Sequence, residues 1–248
     1  MKTAVYVFLI IIMILPSVQG RENDHSLFTA VLKTHVKNGK VNYAALKNDK
    51  RLDRYTAFLS ATNPYTIAGK QNQLAFWINA YNAFTLQIVC RNYPVKSIKD
   101  IGSVFKSVWN QNFIRLKGRE YSLNDIEHKI IRVRYNDPRI HFALVCAAKS
   151  CPPLRPEAYV GSRLDKQLND QGKKFLRNRL LNRFNVAEKK VFLSSIFKWY
   201  RKDFPRSDRD FLVFLARFIN PEEGRAVKRD PPGWEIDFLR YDWRLNRR

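Results

Sequence analysis

The segment Gln71–Pro94, "QNQLAFWINAYNAFTLQIVCRNYP", limits what this chain can fold into more than any other. Spaced as a helix, Leu74, Trp77, Ile78, Tyr81, Thr85 and Ile88 form one face, while Phe76, Ala80, Ala83, Leu86 and Val89 cover much of the rest. A helix that is apolar nearly all round is a buried one, and Pro94 closes it. The remaining chain must therefore build a shell around it. Asn79 and Asn82 then sit one turn apart in an apolar setting, where an unpartnered amide costs about 1–3 kcal/mol. Either they tie the helix to neighbouring loops, or they hold a substrate carbonyl or orient a catalytic histidine.

The shell reads as helices broken by turns. "DHSLFTAVLKTHVK" places Leu27, Val31, Leu32 and His35 on one face, and "NGKVNY" turns the chain at Asn38-Gly39. "YAALKNDKRLDRYTAFLSA" predicts a second amphipathic helix, and "NFIRLKGREYSL" a hairpin around Lys117-Gly118. "SLNDIEHKIIR" predicts a helix opened by the Ser122/Asp125 capping pair. "RIHFALVC" has the β-rich character of an inner strand, and "RLDKQLNDQGKKFLRNRLLNRF" reads as a long basic helix with Phe175, Leu176, Leu180 and Phe184 inward. "VFLSS" is a short strand, "SDRDFLVFLARFI" a capped helix and "WEIDFLRYDW" a closing strand. Strands scattered between more numerous helices predict a single α+β domain. Its expected form is a buried central helix, packed with several amphipathic helices around a small, mostly antiparallel sheet.

The N-terminus, "MKTAVYVFLIIIMILPSVQG", has Lys2 ahead of an apolar run from Ala4 to Leu15 and small residues at Val18 and Gly20. This is the pattern of a signal peptide over residues 1–20. The run is shorter than the roughly twenty apolar residues a bilayer crossing needs. The expectation is cleavage, a secreted or periplasmic location, and a single domain over residues 21–248. The chain carries 45 Lys and Arg against 22 Asp and Glu, a formal net charge of +23. Such an excess favours an anionic polymer, a cell wall or a membrane surface as partner, or else only tunes solubility. No nucleic-acid module, phosphate loop, G-x-S-x-G elbow or H-E-x-x-H pair is present, and no cofactor is expected.

Chemistry concentrates in "HFALVCAAKSCPPL", His141 to Leu154. Cys90 ends the buried helix and reads as a core thiol. Cys146 and Cys151 read three ways. They are a disulfide across "AAKS", a nucleophilic thiolate served by His141, or two ligands of a metal. The C-x4-C spacing does not match the familiar zinc pattern, so no metal is assigned. On a regular strand Cys146 would fall opposite His141, which makes Cys151, beyond the turn, the easier partner. Glu127 falls inside the stripe of Leu123, Ile126, Ile130 and Ile131, with His128 on the flank. An inward carboxylate is either bridged to fix packing or belongs to a site.

The blocks "QLAFWINAYNAFTL", "YPVKSIKDIG", "SLNDIEHKIIR", "DPRIHFALVCAAKSCPPLRPEAY", "LSSIFKWYRKDF" and "YDWRLN" together resemble the domain of unknown function 547 family, from roughly Val41 to Asn246. The resemblance is to exported bacterial members, and it implies no particular activity. It carries over onto Asn79, Tyr81, Asn82, Glu127, His128, His141, Cys146, Cys151 and Pro152, all intact here. Two functions are expected from these residues. The leading one is an exported, thiol-dependent hydrolase or transferase acting on an amide or ester bond. In it Cys151 attacks, His141 is the base and Glu127 orients or charge-tunes a histidine. Cys146 and His128 complete the catalytic candidates, and Asn79, Tyr81 and Asn82 are the substrate-binding ones. The alternative is a non-catalytic binding module, with a structural disulfide and a basic surface for an anionic polymer or a protein partner.

Overall fold

Every residue from Leu74 to Cys90 is buried in the central helix, which runs Lys70–Asn92. A computed structural model describes residues 24–103 and 106–248; the segment read as a signal peptide lies outside the described residues. Around the central helix the architecture is α+β, with helices dominant and the strands in three small sheets. Helix Lys50–Ala61 packs on the central helix, and helix Ser26–His35 packs on Lys50–Ala61. The expected second helix is split in two, Tyr43–Leu46 and Lys50–Ala61. Asp49 makes the break by accepting the Arg51 N–H at 3.0 Å as an N-cap, while its other oxygen meets His35 Nε2 at 2.7 Å.

Two hairpins are where the turn residues put them. β1 (Val36–Lys37) and β2 (Lys40–Val41) join through Asn38 and Gly39, both at positive φ. β3 (Ile114–Leu116) and β4 (Arg119–Tyr121) join through Lys117 and Gly118 in the same way. Gly39 also approaches the Cys-Pro-Pro stretch: a Cβ there would stand 2.5 Å from Pro153 Cβ. The third sheet pairs β5 (Arg183–Asn185) antiparallel and β7 (Glu235–Leu239) parallel with β6 (Lys190–Ser194). Between β6 and β7 the helices Ser195–Trp199, Asp208–Leu215 and Pro221–Arg229 form the crossover.

The largest departure from the sequence reading lies at "RIHFALVC". Ile140–Ala143 is one helical turn, not a strand. Asp137 starts it, with its carboxylate accepting the Arg139 N–H at 2.9 Å. Beyond the turn the extended backbone finds a side chain instead of a sheet neighbour. Asn82 donates to the Ala143 carbonyl at 2.9 Å and accepts the Val145 N–H at 2.9 Å. Asn79 treats Tyr159 identically, with its carboxamide against both the carbonyl and the N–H, at 2.8 and 2.9 Å. From the opposite side Gln167 takes the Ala158 carbonyl and the Val160 N–H, at 2.9 and 2.8 Å. Residues 158–160 are thus hydrogen-bonded on alternating sides like a strand in a sheet, with carboxamides in place of neighbouring strands. The basic helix ends early as well, at Leu176. Leu180, expected inward, is 88% exposed on the turn that follows.

The core has two clusters. One surrounds the central helix; the other is built from Phe142, Phe175, Phe197, Phe204, Phe211 and Phe218 with their aliphatic neighbours. Ile140 and Ala143 belong to the first and Phe142 to the second, so the turn that carries His141 sits on the seam. After β7 the tail is fixed to three separated regions. Asn246 receives the Val41 N–H and the Tyr43 hydroxyl, at 2.8 and 2.7 Å. Ser97 donates to the Trp243 carbonyl at 2.8 Å, and Lys149 donates to the Arg244 carbonyl at 2.8 Å.

Asn79→Ala strands the buried N–H and carbonyl of Tyr159 together. Chemical denaturation is expected to show a loss of about 2–4 kcal/mol with an unchanged slope.

Candidate functional site

A cavity of about 230 Å³ opens where the two core clusters meet. Its floor is Tyr81 of the central helix and Glu127 of the helical segment Asp125–Ile131. That segment is a π-helix: the Arg132 N–H reaches five residues back to the Glu127 carbonyl. Ser122 and Asp125 form the expected capping box, at 2.9 and 3.0 Å. Glu127 is buried, as its place in the apolar stripe required.

His141, Cys146 and Cys151 line the same cavity. The end of the strand reading at Ala143 is what allows this, since the helical turn breaks the alternation that would have set His141 and Cys146 apart. Cys146 and Cys151 stand at disulfide distance, with their Cα atoms 6.3 Å apart. Ala147, between them, holds φ 61°, a left-handed conformation uncommon for a residue with a Cβ. Cys151 Sγ lies 3.0 Å from the Cys146 N–H and 3.1 Å from the Tyr241 hydroxyl, and Tyr241 also reaches Cys146 Sγ at 3.3 Å. Cys90 is a free thiol elsewhere, and burial pushes its pKa up to about 12.

The carboxylate that serves His141 is Asp203, which the sequence reading missed. His141 Nε2 meets Asp203 Oδ2 at 2.7 Å, and Arg132 clamps both oxygens of Asp203, at 2.6 and 2.7 Å. Burial alone would raise the Asp203 pKa. The hydrogen bonds from His141 and Arg132 outweigh it and hold the carboxyl well below the usual carboxylate range. With Asp203 ionised, the proton in the contact belongs to His141 Nε2. Tyr200 stacks on His141 with centroids 4.1 Å apart, and the Arg132 guanidinium lies 5.3 Å from the Tyr200 ring centre.

The other sequence candidates fall as follows. Glu127 faces tyrosines instead of a histidine. Burial first, and the Glu127 carboxylate second, push the Tyr81 and Tyr200 hydroxyls well above the ordinary phenol range. Tyr241 is raised by the same two causes. His128 turns away, with its Nδ1 2.9 Å from Arg132 Nη1, and lines a separate cleft with Asn110 and Lys129. Asn79 and Asn82 are occupied by the backbone, though Asn82 grips the chain between His141 and Cys146 and so positions both. Trp109, Trp199 and Trp243 form the mouth together with Tyr241. "IFKWYRKDF" and "YDWRLN" carry most of these aromatics and Asp203, but a partner 62 positions from His141 leaves no local periodicity to find it by. Among the described residues no three His, Cys, Asp or Glu side chains converge as metal ligands.

Residues 65–176 match the model of a family described as Protein of unknown function, DUF547. The match is shorter than the span of the motifs quoted above. It holds Tyr81, Glu127, His141 and both sulfurs, whereas Trp199, Tyr200, Asp203, Tyr241 and Trp243 lie beyond it. No curated protein and no solved structure matches the chain.

A carboxyl depressed by native partners contributes stability that is whole above its unfolded pKa, near 4, and is lost as pH falls through the lower folded value. Asp203→Asn is therefore expected to flatten the fall of Tm between about pH 4 and pH 2, with a lower Tm at pH 7. Calorimetry across that range is the check.

Proposed function

We propose, for a chain whose residues 65–176 match the DUF547 model, that the cavity is a thiol centre for acyl transfer, hydrolysing or transferring an amide or ester bond. One observation carries the reading: a histidine already oriented by a carboxylate shares a cavity with both sulfurs. Cys151 is the nucleophile. The Cys146 N–H and the Tyr241 hydroxyl both point at its sulfur, and donors to a sulfur favour the thiolate. A dithiol reductant opens the Cys146–Cys151 bond, leaving two thiols. His141 Nδ1 then takes the Cys151 proton as sulfur attacks the acyl carbon. It returns that proton to the leaving amine or alcohol, and water or a second nucleophile releases the thioester. Asp203 keeps the imidazole in the tautomer this needs. Glu127 acts through Tyr81 and Tyr200 in this scheme and does not tune a histidine.

With residues 1–20 as a signal peptide, the pair would reach a compartment where the disulfide persists, so the thiol reading requires a dithiol reductant there. The exposed basic face of helix Leu164–Leu176, with Lys173 and Lys174, would hold the protein against an anionic wall or membrane surface. The alternative, a non-catalytic module stapled by the disulfide, draws its support from that closed bond.

The two readings part on thiol reactivity. After mild reduction, iodoacetamide is expected to label Cys151 near pH 6, and His141→Ala to slow this about a hundredfold. Cys90 should stay unlabelled in the native protein. Slow labelling that is indifferent to His141 would leave the binding module as the function.

A further inference from the structure

The walls of the cavity carry a second message, about what it accepts. Glu127 is buried at the floor, and among the described residues it forms no salt bridge. The nearby Arg132 is already matched, since it gives both arms of its guanidinium to Asp203. The floor therefore holds one negative charge without a cation of its own. Above it stand aromatic faces. Trp199 and Trp243 stack at 5.6 Å, and Tyr241 packs against each at 4.7 and 4.6 Å. Trp109 meets Trp243 edge-on at 5.7 Å. The ammonium of Lys99 rests 5.1 Å from the Trp243 ring centre, which shows that this wall already holds a cation at the rim.

A carboxylate sharing a cavity with several aromatic rings is an arrangement that binds organic cations: the ring faces are negative, and desolvation strengthens the attraction. We infer that the cavity takes a substrate bearing a cationic group, an alkylammonium or quaternary ammonium, seated on Glu127 against the tyrosine and tryptophan rings that line the same cavity. The inference rests on the proposed function only in placing the acyl bond near Cys151; the cation site stands by itself. The protein's large positive charge does not oppose it. Exposed charges are screened beyond about 8 Å at physiological salt, whereas Glu127 acts at contact range inside a partly dry cavity. The charge does set the selectivity required, because only a locally negative site can gather cations on so basic a molecule.

The test compares choline with 3,3-dimethylbutan-1-ol, its uncharged isostere, by calorimetric titration of the oxidised protein. Choline is expected to bind at least about tenfold tighter. Glu127→Gln should abolish that difference while leaving the alcohol's affinity unchanged. Trp199→Ala removes a half-exposed ring of the cavity wall and should weaken choline severalfold. Equal binding of the two ligands, no binding of choline, or a preference that survives Glu127→Gln would each overturn the inference. None of these results bears on His141-dependent thiol labelling, so failure here and failure of the acyl-transfer reading are told apart.

Discussion

A helix with no exposed face forbids its neighbours the easy solution to their own hydrogen bonding. Segments laid against Leu74–Cys90 lose water on that side, yet the chain has few strands to pair them with. The polar side chains inside the core fill the deficit. Asn79, Asn82, Gln167 and Asn182 are each buried, and each binds one backbone carbonyl and one backbone N–H. A carboxamide has the donor and acceptor of a peptide group, so it can continue a ladder where no strand exists. These clamps hold the site's loops in extended form, and Asn82 fixes the spacing between the histidine and the first cysteine.

The same economy governs the charges. Asp203 is shared between the imidazole and the guanidinium, and the two hydrogen-bonding partners overcome the burial that would otherwise neutralise it. Glu127, in the cavity wall, has phenols around it and acts on their ionisation. Two carboxylates near the site thus have different surroundings: one is shared between an imidazole and a guanidinium, the other stands among phenols.

Much of this was legible in the sequence where the physics is local. The central helix, the turn at Asn38-Gly39, the hairpin at Lys117-Gly118, the capping box at Ser122 and the inward Glu127 follow from periodicity and turn chemistry, and all are present. The reading failed where a distant group overrode local preference. Ile140–Val145 has strand composition, but a helical turn opened by Asp137 and a side-chain clamp from Asn82 took the place of sheet partners. Asp203 and Tyr241 escaped for the same reason. Their roles exist only through contacts with residues 62 and about 90 positions away, which no window on the chain brings together.

The tail from Tyr241 to Asn246 braces the cysteine loop, because Lys149, Ser150 and Ala147 all bond to its backbone. A ribosome makes these parts in order, and the two cysteines emerge well before the segment that braces them. During synthesis the pair therefore passes through an interval in which it is free to meet an oxidant without Tyr241 beside the sulfurs or Trp243 at the cavity. The disulfide and the completed cavity wall are consequently separate events in time. A chain interrupted between them would be oxidised at the right residues and still have no site.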